Sequence, residues 1–250
     1  MLTIATINVQ NKYKLKNYNG IYENEDHIKM LLSLIKKYNL DIIGLQEVNQ
    51  KYFERLQLEL PNNTSIYGKF RYPKNWFTKN LYPFSTFNES VPIITTKKII
   101  KQETKVLPWL TSYVPRIVTI IEIETKELGP IVILNTHLDY MKNKTKVKQL
   151  KKVESIISKI KKPIILMGDF NMTIKNKDFQ IFKKKMEKLN IIHTIIDEAT
   201  FKNSKKNLAI DHIFLSTCFN VENIILEKSV QYNNFSDHYP VILKISIENI

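Results

Sequence analysis

Apolar and polar residues follow two rhythms along this chain. Residues 2–9 and 164–168 read as strands, and 41–46 is a short apolar run, which suits a strand buried on both faces. Residues 24–39 place Ile28, Leu31, Leu32 and Ile35 at helical spacing with lysines between them, predicting an amphipathic helix. A second helix is predicted over 49–60, with Phe53, Leu56 and Leu60 on one side and Pro61 ending it. A third covers 143–161, its apolar face formed by Val147, Leu150, Val153, Ile156, Ile157 and Ile160; a fourth occupies about 177–190. Strands are predicted at 116–125 and 130–136 around the hairpin signal Glu127-Leu128-Gly129-Pro130, and again at 210–216, 221–228 and 239–247. Residues 65–108 are rich in aromatics and asparagine and broken by Pro73, Pro83, Pro92 and Pro108, which predicts short strands joined by long loops.

Strands outnumber helices, and the helices lie between them. The pattern predicts an α/β fold in which two mixed β-sheets pack face to face with helices outside, a four-layered α/β sandwich. A doubly wound parallel sheet fits less well, because of the hairpin and the successive strands at the end. No linker interrupts the chain, so residues 1–250 are expected to form a single domain.

Composition narrows the classes. With 43% hydrophobic and 25% charged residues, the chain reads as an ordinary globular protein. Its first residues read as a strand, not a signal peptide, and no apolar run approaches the roughly 20 residues of a membrane span. The single cysteine, Cys218, excludes an internal disulfide framework. A cytoplasmic location is the expectation. The net charge of +14 has two readings. A positive field attracts nucleic acid or another polyanion. Alternatively, it reflects lysine-rich composition, since Arg55, Arg71 and Arg116 are the only arginines and glycine numbers five.

Candidate chemistry collects at the predicted strand ends. Asn8 and Glu47 follow the first two strands and offer oxygen ligands for a hard cation such as Mg²⁺; Gln-Glu there also suits a helix N-terminus. In Gly168-Asp169-Phe170-Asn171 the glycine lets the backbone turn tightly after the strand, Asp169 can take a proton from water, and Asn171 can hold that water or a phosphate oxygen. An asparagine-aspartate turn is the plain alternative. His238, beside Asp237, can act on a phosphate, and Asp211 can orient its ring. His212 points to the opposite sheet face and reads as structural. His137 and Asp139 share a facing at another strand end, where one can meet a phosphate oxygen and the other help position it. His27 and His193 carry no such setting.

Asn8, Leu45-Gln46-Glu47, Asn135-Thr136-His137-Leu138, Gly168-Asp169-Phe170-Asn171, Ile210-Asp211-His212-Ile213 and Ser236-Asp237-His238-Tyr239-Pro240-Val241 occur in that order. Together they resemble the endonuclease/exonuclease/phosphatase superfamily, with the deoxyribonuclease I-like fold, and look most like its small bacterial members. The resemblance implies a four-layered sandwich and a divalent-metal-dependent phosphoesterase. It implies Glu47 as the main Mg²⁺ ligand with Asn8 and Asp237 nearby, and Mn²⁺ as a substitute. Asp169 would align or deprotonate the attacking water, Asn171 would position it, His238 would contact the scissile phosphate, and Asp211 would orient His238. His137 and Arg116 would face the phosphate.

One departure is Ser90-Val91-Pro92, where many members carry Gly-Asn-Ala or Gly-Val-Ala; the proline removes a backbone donor from that wall. The expected function is a Mg²⁺-dependent phosphodiesterase or nuclease using activated water, with nucleic acid one candidate substrate. Aromatics between Tyr67 and Phe84 could stack bases, or pack in core and loops. Alternatives are a phosphomonoesterase, a phospholipid head-group hydrolase, or a catalytically silent binding module. No obligate protein partner is expected.

Overall fold

A computed structural model of the chain describes residues 1–10, 22–72, 88–109, 114–196, 198–202, 208–232 and 234–247. The element order begins β1 (Leu2–Asn8), α1 (Tyr22–Tyr38), β2 (Ile42–Gln46), β3 (Val48–Asn49), α2 (Gln50–Glu59) and β4 (Ser65–Tyr67). It continues through β5 (Glu89–Ser90), β6 (Ile93–Thr95), β7 (Ile99–Leu107), β8 (Arg116–Thr125) and β9 (Gly129–His137). Then come α3 (Asn143–Ile157), β10 (Ile164–Asp169), α4 (Lys177–Glu187), β11 (Ile191–Thr194), β12 (Asp211–Ser216), β13 (Phe219–Leu226) and β14 (Val241–Ile247).

Two six-stranded sheets form, in the orders β13-β14-β1-β2-β6-β4 and β11-β12-β10-β9-β8-β7. Both are mixed: β1 runs parallel to β2 and antiparallel to β14, while β10 runs parallel to β9 and antiparallel to β12. Side chains alternate across a strand, so each sheet feeds two apolar layers. Ile4, Ile42, Ile133, Ile165, Ile213 and Leu243 meet between the sheets. Ala5, Ile7, Ile43 and Leu45 face α1 and α2. Leu134, Leu166 and Phe214 face α3 and α4. The result is the predicted four-layered α/β sandwich.

The two sheets approach closely at one end. A Cβ on Gly44 would lie 2.7 Å from the Met167 sulfur and 2.8 Å from Asn135 Oδ1. Here the interface turns polar: Gln46 Nε2 donates to Asn135 Oδ1 at 2.7 Å, and Asn135 Nδ2 donates to the carbonyls of Leu45 and Pro92. Gln46, read from sequence as part of a strand-end cluster, is thus a buried tie between the sheets.

Some boundaries differ from the sequence expectation. The helix predicted over 143–161 ends at Ile157, since Ser158 donates back to Glu154 as its cap and Pro163 already opens β10's approach. The segment 99–107 is one nine-residue strand; most of its middle is solvent-exposed, so it lacks the apolar signature of its neighbours. Strand β11, an edge strand with only four residues, carried no alternating signal. Gly168 lies inside β10, where φ is 147° and a Cβ would sit 2.0 Å from the Thr136 carbonyl oxygen. Its role is to let β10 lie against β9, not to start a turn.

Candidate functional site

Strand parity assembles the site. On the same strand faces as the inter-sheet residues Ile4, Ile133, Met167 and Ile213, at the strand ends, stand Asn8, His137, Asp169 and Asp211. Register then aligns three of them, since Asp169 pairs with Asp211 on β12 and with His137 on β9. His212 faces the helical layer instead, its Nε2 donating to the Met172 carbonyl at 2.7 Å and its Nδ1 lying 3.0 Å from His193 Nε2.

Asp169 is the hub. Its Oδ2 accepts from Asn8 Nδ2 at 3.1 Å and lies 3.5 Å from His137 Nε2 and 3.8 Å from His238 Nε2. Its Oδ1 accepts the Asn171 backbone N–H at 2.8 Å. Asn8 Nδ2 also reaches Glu47 Oε1 at 3.4 Å. Both Glu47 and Asn171 adopt left-handed backbone angles, φ 59° and 51°. That conformation is uncommon for residues with a side chain and is concentrated at functional sites.

His238 is oriented from behind. Its Nδ1 donates to Asp211 Oδ2 at 2.8 Å, and the same oxygen accepts Thr200 Oγ1 at 2.5 Å. Ser236 ties this corner to β1, donating to the Asn8 carbonyl at 2.7 Å. Asp237 Oδ1 lies 4.0 Å from His238 Nε2.

Burial and like charge set the electrostatics. Burial and the facing Asp211 push the Asp169 carboxyl up to about 7, with His238 opposing. Burial disfavours a charged His238, but Asp211, Asp169 and Asp237 outweigh it and raise its pKa to about 10. Burial and then Glu47 raise Asp237. Burial lowers Arg116, while Glu47, Asp139 and Asp169 hold its charge.

These groups open into a pocket of about 660 Å³, lined among others by Glu47, Arg71, Arg116, His137, Tyr140, Asp169, Asn171, Asp237 and His238. Asn8 and Asp211 sit behind that lining. Asp139 does not join it: its Oδ1 accepts the Met141 and Lys142 backbone N–H groups, capping the turn into α3. Of the aromatic stretch read from sequence, Trp76, Phe77, Tyr82 and Phe84 lie outside the described residues, and Tyr67 packs against the inter-sheet core.

Three groups at the site were not singled out from sequence. Arg71, paired with Glu89, faces the pocket beside Arg116; burial and that second guanidinium bring it down to about 9. Lys146 donates to the Asn171 carbonyl at 3.0 Å, and Thr200 holds Asp211. One signal for Arg71 was available. In a chain with 35 lysines and three arginines, two of the arginines line this pocket, as expected where a planar fork for phosphate or carboxylate is needed.

The nearest ligand atoms of Asp169, Asp211 and His238 all lie within 4.8 Å of one another, close enough to hold a metal ion. A family model described as the endonuclease/exonuclease/phosphatase family matches residues 5–238. A mannosyl-6-phosphatase of Bacteroides thetaiotaomicron VPI-5482 has a similar structure, with TM-score 0.76 and 21% identity over 99% of this chain and 100% of that one. So does the human Nocturnin catalytic domain with bound sulfate, with TM-score 0.72 and 20% identity over 99% and 94%. ANGEL2, a 2′,3′-cyclic phosphatase bound to adenosine-2′,3′-vanadate, aligns with TM-score 0.73 and 15% identity over 98% and 95%. At these identities the similarity shows the fold. No curated protein matches the sequence.

Proposed function

From the premise that this chain belongs to the endonuclease/exonuclease/phosphatase family, we propose that it is a divalent-metal-dependent phosphodiesterase that hydrolyses its substrate with an activated water. The observation that carries this reading is the convergence of His137 and His238 on one carboxylate oxygen of Asp169, at the wall of a pocket that also holds Arg71 and Arg116.

Asp169, with its pKa raised to about 7, can take a proton from water at neutral pH. As the water oxygen bonds to phosphorus, the bond to the leaving oxygen breaks, and that oxygen takes a proton from solvent. His238, held by Asp211, keeps its Nε2–H aimed at the Asp169 side of the pocket, where it can donate to a phosphoryl oxygen. Arg116 and His137 meet the remaining phosphoryl oxygens, and Asn171 fixes Asp169 through its backbone N–H.

The residues fit a hard cation. Glu47 raises the cost of ionising Asp237, and a carboxylate set with an amide is what Mg²⁺ takes. Glu47 and Asp237, with Asn8, would hold it. A bound Mg²⁺ or Mn²⁺ there supplies charge neutralisation for the phosphoryl and leaving oxygens. We assign the Asp211–His238 pair to orienting and proton handling, because Asp211 Oδ2 is already taken by His238 and Thr200.

A second reading, phosphomonoester hydrolysis, is favoured by one feature: two buried guanidinia suit a terminal dianionic phosphate. The test is hydrolysis of bis(p-nitrophenyl) phosphate and p-nitrophenyl phosphate. We expect the diester to turn over faster, with activity abolished by EDTA and restored by Mg²⁺ or Mn²⁺. Activity that persists in EDTA would refute the metal-dependent reading, and a preference for the monoester would favour the second.

A further inference from the structure

The positive charge of this protein is not spread evenly. Residues 142–188 hold fifteen lysines against four acidic residues, whereas the rest of the chain holds 23 basic against 20 acidic residues. Compositional bias toward lysine would enrich every surface. Here the surplus falls on one layer, formed by α3 and α4, which pack side by side on the second sheet and are tied by Lys185 to Glu154 at 2.7 Å. Asp169, one of the four acids, is buried in the site and does not offset this layer.

Within the layer, Lys144, Lys148, Lys151 and Lys152 recur every three or four residues, and all four are exposed. They therefore share one face of α3, a helix about 22 Å long at 1.5 Å per residue. Among the described residues no ion pair neutralises them. Past the helix C-terminus, Lys159, Lys161 and Lys162 rim a second hollow of about 700 Å³ shared with Lys101. At the other end, α3 begins just beyond Tyr140, which lines the proposed catalytic pocket and is 63% exposed. Trp109, 41% exposed, also stands beside α3, since Gln149 donates to the preceding Pro108 carbonyl at 3.1 Å.

A row of cations that tracks a backbone, with exposed aromatic rings nearby, is the combination by which proteins hold single nucleic-acid strands. We propose that the α3 face is a docking surface for a single nucleic-acid strand, which it leads toward the pocket. This rests on the phosphoesterase reading of that pocket for its direction, but not for the binding itself. The pocket's size suits one terminal nucleotide unit, not a duplex. An anionic membrane is the competing polyanion. It is disfavoured because Phe179, Phe182 and Met186 of α4 are spent on the core, leaving Ile181 as that helix's exposed large apolar residue.

The test measures anisotropy of a short fluorescein-labelled single-stranded DNA in EDTA, so that binding is read apart from hydrolysis. Replacing Lys144, Lys148, Lys151 and Lys152 together by Glu is expected to weaken binding about tenfold or more and to flatten its salt dependence. The same positions changed to Gln should give a smaller loss in the same direction. Trp109→Ala should cost about fivefold or more. Hydrolysis of bis(p-nitrophenyl) phosphate should be unchanged in the lysine variants. Strand affinity and salt slope equal to wild type in the glutamate variant would overturn the proposal. So would lysine-dependent binding to vesicles of phosphatidylcholine and phosphatidylserine without strand binding. If the small diester is not hydrolysed while strand binding depends on the lysines, the phosphoesterase reading fails and the docking surface stands.

Discussion

Asp169 gathers more of the proposed chemistry than any other side chain, because burial and Asp211 hold its pKa near neutrality while Asn171 and Asn8 fix both of its oxygens. Replacing it with Asn keeps the shape and removes the base. We expect Asp169→Asn to lower kcat for a diester by about 10²–10⁴-fold with KM little changed, checked by steady-state kinetics. Equal activity in the two proteins would remove Asp169 from the proposed role. Much of this site was legible residue by residue. Asn8, His137, Asp169, Asp211 and His238 stand at strand ends in the sequence and within one cluster in space. Thr200 was not legible. It lies in a segment with no periodic signal, and its value comes only from the hydroxyl that reaches Asp211 eleven residues away. Arg71 stood out in the sequence only as one of three arginines in a lysine-rich chain; its facing Arg116 was not legible there.

At the level of elements, the site depends on how closely strands approach. Gly168 lets β10 lie against β9, and through the register of β10 it places Asp169 opposite both His137 and Asp211. An added methyl would meet the Thr136 carbonyl oxygen, a backbone atom in a central strand that cannot swing aside. Gly168→Ala should therefore cost about 3 kcal/mol or more, read as a lower urea midpoint. Gly129→Ala is the contrast: nothing lies within 4 Å of its Cβ site, so only its left-handed φ of 64° is penalised, at about 1–2 kcal/mol. Equal losses would show that close packing at Gly168 is not the cause. Strands β1, β2, β8 and β10 were predicted nearly to their ends because both faces of each are buried. The exposed β7 and the short edge strand β11 escaped because their pairing, not their own side chains, defines them.

For the molecule as a whole, charge is distributed unequally between the two halves of the sandwich. The helical layer over the second sheet encloses His193 and His212, bonded to each other among Phe179 and Phe214. Burial and mutual repulsion lower His193 to about 3, and burial lowers His212 to about 4, from an ordinary 6.5. Both are neutral in the fold and become charged in the unfolded chain below pH 6.5. Their contribution is therefore complete above that pH and is lost as pH falls toward 4. Each should cost about 1.4 kcal/mol per pH unit across that window. In urea unfolding between pH 7 and pH 5, a His193→Phe/His212→Phe protein should show a shallower acid decline than wild type; parallel curves would rule out the pair as its source. The same layer carries the lysine surplus, which turns an overall charge open to two explanations into a localised one. Strand and helix periods, with the order of the strand-end motifs, are enough to determine a layered sandwich and its family, because each apolar period can be buried in only a few ways. Which polar groups meet was decided only by the tertiary structure. Strand register set Asp169 between Asp211 and His137, and the closing of the two sheets brought Asn8 and His238 to them. Contacts between residues more than 100 apart in sequence depend on both, and neither is contained in any local pattern.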